Sequence, residues 1–520
     1  MIDMKRILLM FILSFFSYVS QAQQFKVATY NMSSSMVDIA SLGAMGWDVA
    51  GLQEVDPDFE IGEDYGIVRH ADNVSKRDVV IAYRKDMFTL ENSGGFYLSR
   101  KTGERPCAWA HLRHLSSGKD FYFLSSRISH PVTKEDGSLN YSRNKADMQR
   151  LREMTSGLIP EDTPSICVGD FNTGHKAKHW GVFANSRWFD VYRHLQLAGT
   201  LSAHMKQLGG DAGLPYHICL DGFRPLRLES SANKAPMAAY VAFNPQTDPS
   251  IYDTPSPVND KTVRVVSSNI RFMNNATDLE NGWNRRRSAI IYMMNDIKPS
   301  VIGFQECCRE QRQYVLDRCS DYDYVEYQVR QNEPDLKSYA AFTDPVMWDR
   351  NVLELLEWDA FYLSETPDTC SMSWDAAEPR TALWCRFKHK QTGKEFIFIN
   401  THLDHKGVEA RKNGLEVLLN QMEKVNVKKL PMVVLGDFNA QYKEATLDRI
   451  KKEWKDARFA AKDSDDKYTF NGFGKSWNGT VDYIWCKGFK KCHDFKVIVR
   501  KYNHVPFISD HYPIRADLEL

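Results

Sequence analysis

Continuous apolar runs alternate along the chain with segments in which apolar residues recur at helical spacing. Residues 263–269, 396–402 and 432–437 are β-rich runs, and each one ends in polar or charged residues. Runs of this kind predict strands that are buried on both faces. Residues 283–296 and 408–424 have helical periodicity. The alternation predicts an α/β fold in which the strand ends deliver polar side chains to a common cleft.

The polar groups at these strand ends form a series that occurs twice. The later copy consists of Asn269, Gln305-Glu306, Asn400-Thr401-His402, Gly436-Asp437-Phe438-Asn439, Asp482-Tyr483 and Ser509-Asp510-His511. The earlier copy consists of Asn31, Gln53-Glu54, Ser125-Ser126-Arg127, Gly169-Asp170-Phe171-Asn172, Asp221-Gly222-Phe223 and Tyr252-Asp253-Thr254. The later copy has histidines where the earlier one has Arg127 and Thr254. The sequence therefore predicts one chemically complete half and one incomplete half.

The spacing of the matched positions predicts two domains. The offset between the copies changes from 238 residues for Asn31 and Asn269 to 267 residues for Asp170 and Asp437. Such drift is expected when loops of different length separate shared strands. Proline-containing dipeptides crowd into residues 244–261, as is typical of a linker. We therefore expect one domain at residues 23–255 and a second at residues 261–520.

Residues 1–22 have the pattern of a secretory signal peptide. Lys5 and Arg6 precede an apolar run, and Ser20 and Ala22 are small residues before an expected cleavage point. The run is too short for a membrane span, and no later stretch of about 20 apolar residues replaces it. This pattern predicts export to the periplasm or the extracellular space.

Composition narrows the class of protein. Of 520 residues, 43% are hydrophobic and 26% are charged, which suits a globular protein with two cores. The formal net charge is zero, whereas proteins that hold long nucleic acids through many phosphate contacts are usually basic. A nucleic-acid partner is therefore allowed but not favoured. Ten cysteines permit disulfides after export, with Cys486–Cys492 as one candidate pair, and they lack the spacing of a zinc site.

The complete copy contains candidate metal ligands. Asn269, Glu306 and Asp510 offer hard oxygen atoms at three separate strand ends. Oxygen ligands of this kind suit Mg²⁺ or Mn²⁺, which keep several waters and accept phosphate oxygens from a substrate. The pattern predicts a divalent-cation site in the second domain.

The same copy contains candidate catalytic groups. Asp437 and Asn439 are two residues apart at a strand end, so they share one face. His511 is a candidate general base for water, with Asp482 orienting its ring. His402 is a candidate hydrogen-bond donor to a phosphate oxygen on which negative charge develops.

Together these motifs resemble those of the endonuclease/exonuclease/phosphatase superfamily, which includes deoxyribonuclease-I-like enzymes. Because the series occurs twice, the chain resembles a tandem duplication of a domain of the secreted bacterial members. The resemblance implies two tandem four-layer αββα sandwich domains and Mg²⁺-dependent hydrolysis of a phosphate ester. The implied roles are Glu306 as principal metal ligand with Asn269 and Asp510, His511 as base oriented by Asp482, Asp437 and Asn439 as positioning groups, and His402 as phosphate donor.

Arginines of the second half add a candidate substrate contact. Residues 374–380 resemble the segment that precedes the histidine strand in secreted bacterial members. Arg380 is therefore a candidate to clamp a substrate phosphate, and a structural ion pair with a nearby carboxylate explains it equally well. Arg285, Arg286 and Arg287 begin a predicted helix, and we expect them to form a solvated face with one buried pair.

The first half is expected to fold like the second and to be inactive or weakly active. It keeps Glu54 and Asp253 as metal-type carboxylates, but Arg127 and Thr254 replace the two histidines. Threonine cannot take a proton from water near neutral pH, and loss of a general base costs a factor of about 10² to 10⁴. Arg127 remains able to hold an anion.

The sequence thus predicts a secreted Mg²⁺-dependent phosphoesterase with its active site in residues 261–520. Its substrate is a phosphodiester or a phosphomonoester, and the residues leave this choice open. A nonspecific secreted nuclease is one alternative. A non-catalytic binding or scaffold protein with two degenerate folds is another.

Overall fold

The computed structural model describes residues 24–32, 43, 45–70, 78–99, 105–160, 163–174, 188–197, 199–210, 214–232, 235–243, 261–274, 278, 281–327, 343–474, 479–502, 505 and 507–520. The predicted signal peptide and the pair Asp253 and Thr254 lie outside the described residues. The chain divides into two compact units. The N-terminal unit comprises residues 1–246 and 276–285, and the C-terminal unit comprises residues 247–275 and 286–520.

The N-terminal unit contains two six-stranded mixed sheets. Its strands are β1 Gln24–Asn31, β2 Val49–Val55, β3 Tyr65–Arg69, β4 Asp78–Arg84, β5 Phe88–Tyr97, β6 Pro106–His114, β7 Lys119–Arg127, β8 Val132–Thr133, β9 Leu139–Asn140, β10 Ser165–Asp170, β11 Phe189–Asp190, β12 Tyr216–Asp221, β13 Phe223–Ser230 and β14 Met237–Phe243. The sheet orders are β13-β14-β1-β2-β4-β3 and β11-β12-β10-β7-β6-β5, and β8 pairs with β9. The helices are Ser142–Leu158, Val191–Leu197 and Ala203–Gly209.

The C-terminal unit contains sheets of seven and six strands. Its strands are β15 Thr262–Asn269, β16 Val301–Gln305, β17 Tyr322–Val325, β18 Val346–Asp349, β19 Leu353–Tyr362, β20 Thr381–His389, β21 Glu395–His402, β22 Met432–Asp437, β23 Lys455–Asp456, β24 Asp463–Ser464, β25 Asp482–Lys487, β26 Lys491–Val497 and β27 Ile514–Glu519. The orders are β17-β18-β16-β15-β27-β26-β24 and β19-β20-β21-β22-β25-β23. Apart from β24, each strand has a counterpart at the same place in the N-terminal unit.

The helices of the C-terminal unit lie between its strands along the chain. They are Trp283–Ile297, Arg309–Arg318, Val408–Val425, Asp448–Glu453 and Ala457–Ala460, with 3₁₀ turns at Ala445–Leu447 and Gly472–Gly474. The helices predicted at residues 283–296 and 408–424 are confirmed within one residue at each end. The predicted α/β fold class is also confirmed.

Burial on both faces explains why the central strands read as continuous apolar runs. In β22, Val433 and Leu435 join a core that includes residues of both sheets. The alternate residues Met432 and Val434 face the other way and pack with the helix Val408–Val425. Side chains of a strand alternate between its two faces, so an apolar layer on each side requires apolar residues at every position.

A buried ion pair ties the first and last strands of the C-terminal unit together. Arg264 on β15 donates from Nε and Nη2 to the two carboxylate oxygens of Asp517 on β27, both at 2.7 Å. A third donor, Nη1, binds the carbonyl of Ile297 at 2.9 Å, at the end of a helix. Both side chains are almost fully buried. The pair therefore fixes the strands that lead into Asn269 and out of the loop that carries His511.

The structure also bears on the candidate disulfides and on membrane-spanning helices. All ten cysteines are free, so the candidate disulfides are not present in the structure. Within the described ranges, none of the helices has both the length and the apolar character that a membrane crossing requires.

Removing the guanidinium of Arg264 tests the contribution of this pair. We expect Arg264→Met to lower the unfolding free energy of the C-terminal unit by about 3 kcal/mol, because Asp517 then loses its main partner in the interior. Arg515 lies 3.5 Å from Asp517 and offsets part of the loss. Urea unfolding followed by circular dichroism measures the change. Lys388→Met, which breaks an exposed pair with Glu354, is the control and should cost less than about 1 kcal/mol.

Candidate active site

Strand register brings the predicted site residues of the C-terminal unit to one sheet edge. Asn269 is the last residue of β15 and lies opposite Gln305 in the parallel strand β16, directly before Glu306. In the second sheet, His402 lies opposite Asp437 in the parallel pair β21 and β22. Asp437 also lies opposite Asp482, the first residue of the antiparallel strand β25. Both sheets thus present polar side chains at this edge.

The Asn269 amide joins the two sheets at the site. Its Nδ2 donates to Glu306 Oε1 at 3.2 Å and to Asp437 Oδ2 at 3.1 Å. Its Oδ1 accepts from the backbone N–H of Arg271 at 3.0 Å. Asn269 is buried, so these hydrogen bonds form with little competition from water. One side chain therefore sets the separation of a carboxylate on each sheet.

Several site residues adopt a backbone conformation that non-glycine residues rarely adopt. Glu306 has φ 58°, Arg271 has φ 57° and Asn439 has φ 48°. Such left-handed residues cost about 1–3 kcal/mol each and cluster at functional sites. In the N-terminal unit, Glu54 and Asn172 repeat the feature with φ 54° and 49°. The turn after each motif strand is therefore held by its surroundings in both units.

Glu306 and Asp510 come together around one guanidinium. Arg271 Nη1 lies 3.8 Å from Glu306 Oε2, and Arg271 Nε lies 3.9 Å from Asp510 Oδ2. Both carboxylates are largely but not fully buried, with side-chain exposures of 15% and 14%. These two carboxylates, together with the Asn269 amide once its oxygen turns toward them, are a donor set that suits Mg²⁺ or Mn²⁺. The residues present therefore fit the predicted divalent cation.

His511 and Asp482 form a buried pair. His511 Nδ1 lies 2.9 Å from Asp482 Oδ2, and His511 Nε2 lies 3.6 Å from Asp437 Oδ2. Burial alone would lower the pKa of His511, but the Asp482 and Asp437 carboxylates outweigh it, and the pKa lies well above the ordinary value of 6.5. We attribute the rise chiefly to Asp482, because burial also raises the pKa of Asp437. The Phe470 ring packs edge-on against His511 at 4.9 Å.

His402 occupies a different environment from His511. Its Nε2 lies 3.1 Å from Asn439 Nδ2 and 3.5 Å from Asp437 Oδ2. Burial, followed by the charges of Arg380 and the neighbouring histidines, holds the pKa of His402 well below its ordinary value. His402 is therefore neutral near pH 7 and can donate one N–H.

A second ligand set is also suggested by geometry. Ligand atoms of Asp437, Asp482 and His511 lie within 4.8 Å of one another. Nδ1 of His511 is already engaged with Asp482, and a metal on this ring would need a neutral imidazole. The raised pKa of His511 opposes that state. Asn269, Glu306 and Asp510 therefore remain the predicted cation ligands, and His511 must lose its proton before it can act as a base.

Arg380 lies beside the histidines rather than between the carboxylates. Its Nη2 is 3.2 Å from His405 Nδ1, and its Nε is 3.9 Å from Asp404 Oδ2. The Arg380 side chain is only 8% exposed. The long separation from Asp404 makes the ion pair weak. Both interpretations of Arg380, phosphate clamp and structural partner of a carboxylate, remain compatible with this position.

Some residues at the site carry no signal in the sequence. Asp344, which follows no recognisable motif, accepts from the backbone N–H of Glu306 at 3.2 Å. Its burial raises the pKa of the Asp344 carboxyl to about 7. Asp404 accepts from the N–H groups of Ala377 at 3.0 Å and Gly407 at 2.7 Å. It thereby connects the loop before Arg380 to the start of a helix.

The expectation of a solvated face at Arg285, Arg286 and Arg287 is wrong for Arg285 and Arg286, which are both buried. Arg286 is the more deeply buried of the two. This side chain is fully buried and donates to the carbonyls of Ile270, Ile508 at 3.0 Å and Arg271 at 2.8 Å. Backbone carbonyls in loops have no ladder partner, and a guanidinium with five donors can satisfy several of them. Arg286 therefore joins the loop after Asn269 to the loop before Asp510.

The N-terminal unit repeats half of this arrangement. Asn31 Nδ2 donates to Glu54 Oε1 at 3.1 Å and to Asp170 Oδ2 at 3.0 Å. Arg127 lies opposite Asp170 in register, as His402 lies opposite Asp437. Arg127 also forms an ion pair with Glu54.

One motif match in the N-terminal unit is wrong, and another lies outside the described residues. Asp170 lies opposite Tyr216, whereas Asp221 lies opposite Ser165 at the other end of β10. Tyr216 is therefore the positional counterpart of Asp482. Asp253 and Thr254 lie outside the described residues, and they follow β14, the strand that corresponds to β27.

Replacing Arg286 tests its role as a positioning residue. We expect Arg286→Met to speed amide hydrogen exchange about tenfold or more in residues 270–272 and 508–510, because their carbonyls lose a buried donor. Exchange in β22 should stay slow. Arg287→Met is the matched control, since Arg287 lies over the Tyr314 ring at 5.0 Å and should leave both loops protected. Equal protection in the two variants would contradict the assignment.

Comparisons with known proteins place this site in a family context. A curated mimivirus protein, uncharacterized protein L388 of Acanthamoeba polyphaga mimivirus, is 25% identical over 257 residues, which are 45% of this chain and 90% of that protein. An endonuclease/exonuclease/phosphatase from Bacteroides vulgatus is 30% identical, covering 50% of this chain and 99% of its own, with a TM-score of 0.46. A mannosyl-6-phosphatase of Bacteroides thetaiotaomicron is 27% identical, covering 50% and 100%, also with a TM-score of 0.46.

The family match falls on the half of the chain that has the complete series. Residues 266–511 match the model of the Endonuclease/Exonuclease/phosphatase family. This range begins within β15 and ends at His511. All nine predicted site residues lie inside it. The C-terminal half of the chain is thus similar to the Endonuclease/Exonuclease/phosphatase family, in agreement with the resemblance drawn from its motifs.

Proposed function

We propose that the C-terminal unit is a divalent-cation-dependent phosphoesterase and that the N-terminal unit is catalytically inactive. One observation carries the proposal. An Asp-paired imidazole, His511, is adjacent in sequence to Asp510, and Asp510 shares the Arg271 guanidinium with Glu306. A proton acceptor and a cation-binding carboxylate pair at one sheet edge are the components that metal-assisted hydrolysis of a phosphate ester requires.

The cation would be Mg²⁺ or Mn²⁺ held by Glu306, Asp510 and the amide oxygen of Asn269. When bound, it supplies Lewis-acid polarisation of a phosphate oxygen. Asn269 Nδ2 donates to Glu306 and its Oδ1 accepts from the N–H of Arg271, so the amide would have to turn its oxygen toward the cation on binding. Arg271 neutralises the same carboxylates at 3.8 and 3.9 Å, beyond hydrogen-bond distance.

His511 would take the proton from the attacking water at Nε2. Its Nδ1 faces Asp482 at 2.9 Å, so Nδ1 keeps a proton and Nε2 presents the lone pair. His511 is neutral more readily when Asp510 holds a cation, because like charges repel. Asp482 then stabilises the imidazolium that forms during the reaction.

Asp437, Asn439 and His402 would bind the phosphate and the water. Asp437 is the shared neighbour of His402 and His511, so it can orient both rings. His402, held neutral, would donate its N–H to a phosphate oxygen as negative charge develops. Arg380, next to His402 in space, would bind another phosphate oxygen.

The substrate class stays open between a phosphodiester and a phosphomonoester. A screen of the purified chain against bis-p-nitrophenyl phosphate, sugar phosphates, DNA and phospholipids distinguishes these classes. The nuclease alternative gains support if plasmid or RNA is degraded with Mg²⁺ and His511→Ala abolishes the degradation. The scaffold alternative gains support if Glu306→Ala changes no measurable property.

Export forms part of the proposal and depends on the pattern of residues 1–22. Cleavage after Ala22 would give a mature chain that begins at Gln23. N-terminal sequencing of protein recovered from the periplasm or the culture medium tests this step directly.

The base assignment gives a quantitative expectation. We expect His511→Ala to lower kcat by about 10² to 10⁴, as is typical for loss of a general base. Glu306→Gln should instead weaken activation by Mg²⁺, so a titration of rate against Mg²⁺ separates the two roles. His493→Ala, which removes a histidine that binds Glu519 on β27, is the control and should keep full activity. Unchanged turnover in His511→Ala would rule out the proposed base.

Inactivity of the N-terminal unit can be tested in the full chain. The starting point is the double variant His511→Ala, Glu306→Gln, which silences the proposed C-terminal site. Adding Glu54→Gln to this double variant should not lower its residual turnover any further. The physical reason is that Tyr216 and Arg127 stand where the C-terminal unit has Asp482 and His402. Residual Mg²⁺-dependent turnover that disappears with Glu54→Gln would show that the N-terminal unit is active.

A further inference from the structure

The N-terminal unit keeps the amide-bridged carboxylates of the site but places a different side chain beside them. Asn31 holds Glu54 and Asp170 at 3.1 and 3.0 Å, as Asn269 holds Glu306 and Asp437. The left-handed backbone at Glu54 is also retained. The carboxylate that corresponds to Glu306 is therefore present, largely buried and held by the same amide.

Arg127 contacts this carboxylate directly. Its Nη2 forms an ion pair with Glu54 Oε1, with side-chain exposures of 21% and 12%. Arg127 is the last residue of β7, so the strand fixes its Cα, and Asp170 lies opposite in the ladder. An arginine is longer than the histidine at the equivalent place and spans the distance from one sheet to the carboxylate on the other. Glu54 thus has a permanent internal counter-charge.

The arginine of the C-terminal unit is placed differently. Arg271 belongs to a loop, stands 3.8 Å from Glu306, and lies over the Phe272 ring at 4.6 Å. It is not within hydrogen-bond distance of either carboxylate. Arg271 therefore forms no hydrogen bond with Glu306 that a cation would have to displace, whereas Arg127 is hydrogen-bonded to Glu54.

The second carboxylate of the cation site also has no counterpart among the described residues. Asp510 and His511 lie in residues 498–513, which connect β26 and β27. The corresponding connection between β13 and β14 comprises only residues 231–236, whose sequence is Ser-Ala-Asn-Lys-Ala-Pro. This connection contains no acidic residue. The N-terminal unit therefore combines one carboxylate with an arginine where the C-terminal unit combines two carboxylates.

We propose that the Arg127 guanidinium replaces the divalent cation as the counter-charge of Glu54, so that the N-terminal unit is built to be independent of metal. The described residues around Glu54 do not fit a divalent cation, because a cation at Glu54 would lie against the positive charge of Arg127. The unit would keep its fold when divalent cations are scarce. The inference uses the proposed C-terminal site as a reference, and its test does not depend on C-terminal activity.

The experiment uses the full chain with Glu306→Gln and Asp510→Asn, which silence the proposed C-terminal cation site. Binding of Mn²⁺ is measured from the electron paramagnetic resonance signal of the free ion, and unfolding is followed by calorimetry. While Arg127 is present, Glu54→Gln should not change the amount of Mn²⁺ bound. Mn²⁺ should also not raise the melting temperature. The parent chain with Glu306 and Asp510 intact reports separately on the proposed function.

Arg127→Met should create a metal dependence. We expect the melting temperature of the N-terminal unit to fall by about 5 °C or more, because a largely buried carboxylate loses its partner. Millimolar Mn²⁺ should recover part of this loss. Adding Glu54→Gln to Arg127→Met should also recover stability, without metal, and should abolish the Mn²⁺ response. Arg127→Gln, which keeps hydrogen-bonding capacity without the charge, replaces Arg127→Met if the latter does not fold.

Two results would overturn the proposal. The first is Glu54-dependent Mn²⁺ binding while Arg127 is intact. The second is that Arg127→Met or Arg127→Gln leaves the melting temperature of the N-terminal unit unchanged, or that the variant shows no Glu54-dependent response to Mn²⁺. Absence of Glu306-dependent Mn²⁺ binding in the parent chain would instead count against the C-terminal phosphoesterase and leave the result at Arg127 to be judged separately.

Discussion

A buried asparagine amide that bridges two sheets is the interaction on which both units depend. In the C-terminal unit, Asn269 donates one amide group to Glu306 on its own sheet and to Asp437 on the other. Asn31 does the same for Glu54 and Asp170. Two carboxylates so close together repel, and an amide offers two donors without adding a charge. The bridge therefore allows acidic groups of both sheets to meet in a cleft of low polarity.

The remaining negative charge must be balanced, and the two units balance it with different groups. The C-terminal unit places His511 between Asp482 and Asp437, and Glu306 and Asp510 lie near Arg271 and are the proposed ligands of a cation. The N-terminal unit uses a strand arginine. Buried charge without a partner is costly, so every surviving carboxylate requires one of these solutions. The two units therefore differ in their counter-charge more than in their fold.

Much of the arrangement could be predicted from the chain because strand ends carry their own signal. An apolar run that stops at Asn269, His402 or Asp437 marks a polar group at the edge of a sheet, and the structure brings these three residues together. Arg286 shows the limit of such patterns. A cluster of arginines at the start of a helix suggests a solvated face, but loop carbonyls from Ile270 and Ile508 converge on this one side chain. Sequence spacing does not reveal which loops will need a donor.

The sequence by itself determined the α/β class, the order of the motifs and the chemical groups available to each half. Residue types and apolar periodicity are local properties, and they survive any change in how strands pair. Tertiary structure alone decided which groups face one another. Asp482 begins its strand and Asp221 ends its own, and in antiparallel pairing this difference places Asp482 beside Asp437 but Asp221 beside Ser165. Similar motifs thus lie at opposite sheet edges, because register and strand direction are set by packing across the whole sheet.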